Sequence, residues 1–205
     1  KPMCIKLLSN TSQNDHERIM LEKLMQHTRQ KPGQHNIVEY FGHEVRQSSI
    51  CLKFEFVHSK NSFRKDLENM TDPEIVTYMR ELLKALDSLH NKYGITHRDI
   101  KPLNFVHHFQ TNTFRLVDFG SAVYESHDNG IGLNTAGTRG FKAPELLQPS
   151  HGLTTKGFRR QQGIDIWSAG IIMMSLLTGQ KDILSQNVDM ATVDCNAKHL
   201  TEIGN

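Results

Sequence analysis

The sequence predicts an α+β fold in which short strands fall within the first 57 residues and helices dominate the remainder. Runs that are typical of strands occur at 3–8, 38–41 and 49–57. Apolar stripes of helical period follow at 75–89 and 171–177. The composition, 37% hydrophobic and 22% charged, is that of an ordinary globular protein.

Composition and charge exclude several classes of protein. There is no apolar run of about 18 residues, so no membrane span is predicted, and no secretory signal opens the chain. Cys4, Cys51 and Cys195 are too scattered for a disulfide framework or a zinc site, which fits the cytosol or nucleus. A net charge of +2 gives no indication of nucleic-acid binding. We interpret the one close histidine pair, His107 and His108, as solvated loop residues.

Capping patterns predict two helix starts. Asn14, with Glu17 three residues later, resembles a capping box before an apolar stripe that comprises Ile19, Met20, Leu24 and Met25. Thr71, followed by Pro73 and Glu74, predicts the start of a longer helix. The core-facing positions expected for this second helix are Ile75, Met79, Leu82, Leu83, Leu86 and Leu89.

Four motifs then occur in a fixed order along the chain. They are His-Arg-Asp-Ile-Lys-Pro-Leu-Asn at 97–104, Asp-Phe-Gly at 118–120, Ala-Pro-Glu at 143–145 and Asp-Ile-Trp-Ser-Ala-Gly at 165–170. Together they resemble the catalytic core of eukaryotic serine/threonine protein kinases. The resemblance implies a bilobal fold, with an incomplete small β lobe at 1–57 and a mostly helical large lobe at 58–205.

The same resemblance implies ATP and Mg²⁺ as cofactors and gives roles to four residues. Asp99 would accept the proton of a substrate hydroxyl, and Asn104 and Asp118 would hold the magnesium ions. Lys101 lies where these kinases place a cation near the transferred phosphate.

In the first lobe, the run at 3–8 resembles the kinase strand that carries the phosphate-binding lysine, here Lys6. We expect Glu22, on the following helix, to pair with Lys6, because of its distance along the chain and the Leu24 that follows it. Glu17 is the rival for this pairing, and the sequence leaves the choice open.

Two further segments resemble parts of the kinase cleft. Phe54 would stand at the back of the adenine pocket, and the backbone from Glu55 to Val57 would bond the adenine edge. Thr138 and Arg139 would belong to the substrate-binding loop, where Thr138 would bridge Asp99 and Lys101.

Three other expectations concern the second lobe. Asp165 should bond the backbone of the catalytic loop, at the start of a central helix that is apolar nearly all round. Thr135, with Ser126 behind it, is the expected site of activating phosphorylation. The run 148–162 is expected to be a solvated loop, whose basic residues Lys156, Arg159 and Arg160 could alternatively contact an acidic substrate.

Within the kinases, the strongest likeness is to the cell-division-cycle-seven family, through Gly-Thr-Arg-Gly-Phe-Lys-Ala-Pro-Glu at 137–145. That likeness implies a protein substrate, a Dbf-four-like regulatory subunit, a role in the cell cycle and DNA replication, and location in the nucleus or otherwise in the cytoplasm. A glycine-rich phosphate loop does not precede Lys6, so we expect a chain truncated at both ends and weak or absent activity for these 205 residues alone. The alternative is a non-catalytic, kinase-like scaffold that binds a partner, but intact Lys6, Asp99 and Asp118 favour the enzyme.

Overall fold

The computed structural model describes residues 3–28, 35–57, 70–108, 110–124, 137–146 and 158–179. In these ranges a small antiparallel sheet and one helix come first, and two further helices with short strand pairs follow. One continuous cluster of buried apolar side chains includes members from both parts, from Met20 to Ile172. None of the described helices is both long and apolar enough to cross a membrane.

The first sheet consists of β1 (Met3–Ser9), β2 (Tyr40–Val45) and β3 (Ser49–Glu55) in the order β1-β3-β2. Lys6 of β1 lies opposite Leu52 of β3 in the antiparallel register. Paired residues project from the same face of a sheet. Lys6 therefore shares a face with the fully buried Leu52, and this face is the one that meets the first helix.

Helix α1 (Ser12–Thr28) packs against that face through Met20, Leu21 and Leu24, which are all buried. It begins two residues before the predicted cap at Asn14. The predicted capping box is wrong, because the carboxylate of Glu17 is bonded to Lys6 instead of to the start of the helix.

Helix α2 (Asp72–Asp87) starts where the sequence predicts. The N–H and the hydroxyl of Thr71 both donate to the Glu74 carboxylate, each at 2.8 Å. The predicted core positions on this helix are buried except Leu83, which is 47% exposed. Leu82 and Leu83 are about 100° apart around a helix, so both cannot face one core. Tyr78 and Ala85 complete the buried face.

Short strand pairs place the two sequence motifs that follow α2. After a π-helical turn (Ser88–Lys92), β4 (Ile95–Thr96) leads into the first motif and pairs with β7 (Val123–Tyr124). The hairpin of β5 (Phe105–His108) and β6 (Thr113–Leu116) connects the first motif to the second. Backbone bonds between Leu116 and the segment at 36–38 fasten this hairpin to the first sheet.

Helix α3 (Phe158–Thr178) begins earlier than predicted, so part of the run 148–162 is helical rather than a loop. It buries Ile164, Asp165, Ser168, Ala169 and Ile172, while Ile166, Met173 and Leu177 are about half exposed. The sequence predicts a helix that is apolar nearly all round, and among the described residues one of its sides is buried while the other is about half exposed. One face of α3 packs on α2 and on the segment around Phe141, and in the described part of the chain the opposite face is solvent-exposed.

Candidate active site

The loop at 97–104 is held in place by a buried carboxylate on α3. One oxygen of Asp165 accepts the backbone N–H of His97 and the other accepts that of Arg98, each at 2.8 Å. His90 lies 2.8 Å from the same carboxylate. Arg98 has a φ of 65°, a left-handed conformation that is costly for a side chain of this size. The paired bonds to Asp165 hold that conformation, as the sequence predicted for Asp165.

Asp99, Lys101 and Thr138 form a closed triangle of hydrogen bonds. Lys101 Nζ donates to Asp99 Oδ2 and to Thr138 Oγ1, each at 2.8 Å. Thr138 Oγ1 donates in turn to Asp99 Oδ1 at 2.7 Å. Burial works to raise the pKa of Asp99, but the bonds from Lys101 and Thr138 outweigh it and leave the pKa below its ordinary value. Asp99 is therefore an oriented, ionised carboxylate near neutral pH.

Glycine is required immediately before Thr138. Gly137 has a φ of +90°, and a Cβ built there would lie 2.7 Å from the carbonyl oxygen of Arg98. The two segments therefore approach so closely that any side chain at 137 would collide with the catalytic loop. Arg139, the other predicted residue of the substrate loop, is exposed and lies next to this contact.

Asn104 and Asp118 supply oxygen atoms next to the Asp99 triangle. Asn104 Nδ2 donates to the carbonyl of Asp99 at 2.9 Å and to its Oδ2 at 3.1 Å, which leaves the amide oxygen of Asn104 to accept a cation. The N–H of Val117 donates to the Asn104 carbonyl at 2.9 Å, so the residue preceding Asp118 is tied to Asn104. The Asp118 side chain is 45% exposed.

These donors fit magnesium bound together with a nucleotide. Mg²⁺ is commonly held by one or two protein oxygens plus phosphate oxygens, rather than by a complete protein cage. Among the described residues, no three His, Cys, Asp or Glu side chains form a group that could hold a metal ion. Asn104 and Asp118 match the two-ligand arrangement. Burial raises the pKa of Asp118, but the bond and charge of Lys6, the Gly120 N–H and the charge of His97 together leave that pKa below its ordinary value.

Lys6 lies between the carboxylates of Glu17 and Asp118. The prediction that Glu22 pairs with Lys6 is therefore wrong, and Glu17 is the partner. Lys6 Nζ donates to both oxygens of Glu17, at 2.9 and 2.8 Å, and to Asp118 Oδ1 at 2.9 Å. Burial lowers the pKa of Lys6, but its bonds to Asp118 and Glu17 raise it above the ordinary value on balance. Lys6 is therefore the single cation among these three side chains, and it stays protonated near neutral pH.

Glu22, the partner predicted for Lys6, is bonded elsewhere. Its carboxylate accepts from Arg18 at 3.0 Å and lies 3.2 Å from His43 of β2. The reason is helical phase. Glu17 is three, four and seven residues before the buried Met20, Leu21 and Leu24, so it projects from the buried face of α1. Glu22 is five residues beyond Glu17 and projects from a different side. The helical phase, which is visible in the sequence, thus favours Glu17, whereas distance along the chain favours Glu22.

The segment predicted to bind adenine lies at the end of β3, where Glu55 is bonded within the protein. The N–H of Glu55 donates to the Glu39 carbonyl at 2.9 Å, and its carboxylate accepts from Arg115 at 3.2 Å. The N–H and side chain of Glu55 are thus engaged within the protein, and the predicted bonding of the adenine edge by the backbone from Glu55 to Val57 stays a prediction. Phe54 packs against the Tyr40 ring at 5.5 Å, and Val57 packs partly buried against the core.

A contact between α1 and the segment after Asp118 was not predicted from the sequence. His16 Nε2 lies 2.7 Å from the carbonyl oxygen of Ala122. No motif marks this pair, because one partner is a backbone atom and the other a single histidine. The predicted phosphorylation sites Thr135 and Ser126, together with Lys156, lie outside the described residues. Nothing is described of the side chains of Arg159 and Arg160.

Comparison with known proteins identifies the family to which these residues belong. The protein kinase domain family matches residues 1–203. The chain belongs to the protein kinase family. Its mixed helix and sheet content is that of a partial bilobal kinase fold, as the sequence predicted.

Three relatives of this kinase domain illustrate its range. It is 31% identical over 206 residues to Probable cell division control protein 7 homolog 2 of Encephalitozoon cuniculi, an alignment that covers 78% of the chain and 55% of that relative. It is 34% identical over 158 residues to Glycogen synthase kinase 1 of Pyricularia oryzae, with 71% and 37% covered. It is 30% identical over 147 residues to Mitogen-activated protein kinase kinase kinase 3 of Arabidopsis thaliana, with 71% and 22% covered. The chain thus spans 55% of the first relative's length and less of the other two.

Proposed function

We propose that the protein carrying this chain is an ATP-dependent kinase that transfers the γ-phosphate to serine or threonine side chains of proteins. The observation that carries the proposal is the triangle of Asp99, Lys101 and Thr138. Its carboxylate is ionised, oriented by two donors and within hydrogen-bond distance of Asn104 Nδ2. Such a group can accept the proton of a hydroxyl nucleophile.

Each remaining residue supports one part of this reaction. Bound Mg²⁺ and ATP would supply the phosphoryl group and neutralise its charge, with Asn104 and Asp118 as the oxygen donors. Lys6 offers a cation to the phosphates and is oriented by Glu17. Lys101 places a second cation beside Asp99, where negative charge develops during transfer. The first 57 residues and the remainder act as the two lobes of this cleft.

The cellular role is a finer part of the proposal. We propose a role in control of the cell cycle and DNA replication, and hence a nuclear location. It is supported by two relatives named as cell division control protein 7 homologues, each 31% identical over 206 residues. A Dbf-four-like regulatory subunit that docks on the first lobe and holds α1 against β1 is the partner that this role calls for.

Transfer of labelled γ-phosphate from ATP to peptides decides the question of reaction type. The full-length gene product should label serine and threonine peptides in the presence of Mg²⁺ and leave matched tyrosine peptides unlabelled. Asp99→Asn should abolish the labelling while leaving the fold intact by circular dichroism. Labelling that persists in Asp99→Asn, or that occurs on tyrosine alone, contradicts the proposal.

A further inference from the structure

Helix α1 contacts the segment after the Asp-Phe-Gly motif at two points. His16 Nε2 lies 2.7 Å from the Ala122 carbonyl oxygen. Two helical turns later, the ammonium group of Lys23 lies 5.0 Å from the centre of the Tyr124 ring, within the range of a cation–π interaction. Residues seven apart project from one side of a helix. We call these four residues the α1–β7 contact.

The segment that α1 contacts is itself fixed to the catalytic loop. Arg98 Nε donates to the carbonyl of Ser121 at 2.7 Å, so consecutive carbonyls at 121 and 122 are bonded from two directions. Val123 pairs with Thr96, the residue that precedes the catalytic loop. Ala122 is fully buried between these attachments. The α1–β7 contact therefore connects α1 to a rigid part of the site.

The position of His16 on α1 gives this contact a consequence for Lys6. His16 is the neighbour of Glu17, whose carboxylate orients Lys6 through two hydrogen bonds. A rotation of α1 that moved Glu17 away from Lys6 would also have to break the bond from His16 to Ala122. The bond thus favours the rotation of α1 in which Lys6 is engaged.

From this geometry we propose that His16 is a positioning residue: by donating to the Ala122 carbonyl, it holds α1 where Glu17 engages Lys6. The inference rests on the proposed kinase reaction, which it deepens. His16 does not touch the Asp99 triangle, so its loss should weaken the use of Mg-ATP more than the hydroxyl chemistry at Asp99. The cation–π contact of Lys23 with Tyr124 favours the same position of α1, but more weakly.

The test compares variants of the full-length gene product. His16→Leu should raise the KM for ATP about fivefold, the loss expected for one hydrogen bond of ordinary strength. His16→Gln should restore most of the affinity, because the amide nitrogen of glutamine can donate in place of Nε2. Lys23→Leu should raise the KM about twofold. Gln26→Leu, at an exposed position on the same helix, is the matched control and should change nothing.

Hydrogen exchange of the α1 amides provides a readout that does not depend on activity. Exchange in His16→Leu should be about fivefold faster than in wild type, and exchange in His16→Gln should be close to wild type. If wild type transfers no phosphate, the proposed function fails and the exchange data alone decide the role of His16. The inference is overturned if His16→Leu matches Gln26→Leu in both measurements, or if His16→Gln is as impaired as His16→Leu.

Discussion

Replacing Glu17 with glutamine should impair the enzyme far more than the same change at Glu22. Glu17 is nearly buried, with 5% of its side chain exposed, and it makes two short bonds to Lys6, which is 36% exposed. Breaking a fully buried ion pair costs about 3–5 kcal/mol, whereas an exposed pair contributes about 0–1 kcal/mol. The partial exposure of Lys6, and the bond it retains to Asp118, place the expected loss between these limits, near 2 kcal/mol.

A loss of about 2 kcal/mol corresponds to roughly a 30-fold fall in kcat/KM for Mg-ATP. Glu22→Gln weakens the contacts of this partly exposed carboxylate with Arg18 of α1 and His43 of β2. A helical pair of this kind contributes about 0.3–0.5 kcal/mol, so roughly a twofold change is expected. Steady-state kinetics with varied ATP, on the two variants and wild type, provides the comparison. An equal or larger loss in Glu22→Gln would refute the assignment of Glu17 as the partner of Lys6.

Three further outcomes follow from the geometry of the loop. Gly137→Ala should lower the free energy of unfolding by about 1–3 kcal/mol, because the new Cβ would lie 2.7 Å from the Arg98 carbonyl. Thermal denaturation measures this loss. Gly42→Ala should lower the free energy of unfolding by less in the same experiment, because Gly42 has a positive φ but no atom lies within 4 Å of its Cβ position. Asp165→Ala should cost about 3–5 kcal/mol, measured by urea unfolding, because it leaves buried N–H donors of the loop unpaired; a loss below about 1 kcal/mol would contradict this. In the folded protein the pKa of Asp99 is lowered from its ordinary value of 3.8. The ionised Asp99 therefore contributes its full stabilisation above pH 3.8, and this stabilisation is lost as the pH falls through the folded-state pKa. The difference in stability between wild type and Asp99→Asn should therefore shrink below pH 3.8, and a difference that grows there would be inconsistent with the sign of the shift.

The residues of the proposed catalytic site were predictable because they lie in short motifs with fixed spacing. The loop at 97–104 constrains Asp99, Lys101 and Asn104 within one turn of chain, and Thr138 and Asp165 belong to motifs of their own. The contacts expected for Thr138 and Asp165 are present at 2.7–2.8 Å. Few residues separate Asp99, Lys101 and Asn104, so local sequence specifies their geometry. Thr138 and Asp165 lie 39 and 68 residues from Asp99 and His97, and they were predictable through the resemblance of their own motifs.

Pairings between distant elements were harder to predict. The choice between Glu17 and Glu22 depends on which face of α1 meets the sheet, and the apolar residues Met20, Leu21 and Leu24 determine that face. The same phase argument explains the exposure of Leu83 on α2. The engagement of Glu55 by Arg115 could not be predicted, because it requires the relative position of β3 and the later hairpin.

In the proposed reaction, Asp99 serves phosphoryl transfer, whereas Lys6 and Asp118 serve the binding of the nucleotide. Calorimetric titration of Mg-ATP into wild type, Asp99→Asn and Asp118→Asn, with kcat measured on the same preparations, tests this division directly. We predict that Asp99→Asn binds Mg-ATP close to normally but loses about 10²–10⁴-fold in kcat, and that Asp118→Asn loses the magnesium-dependent affinity itself. An Asp99→Asn variant that keeps more than about a tenth of kcat, or an Asp118→Asn variant with normal magnesium-dependent affinity, would contradict the claim.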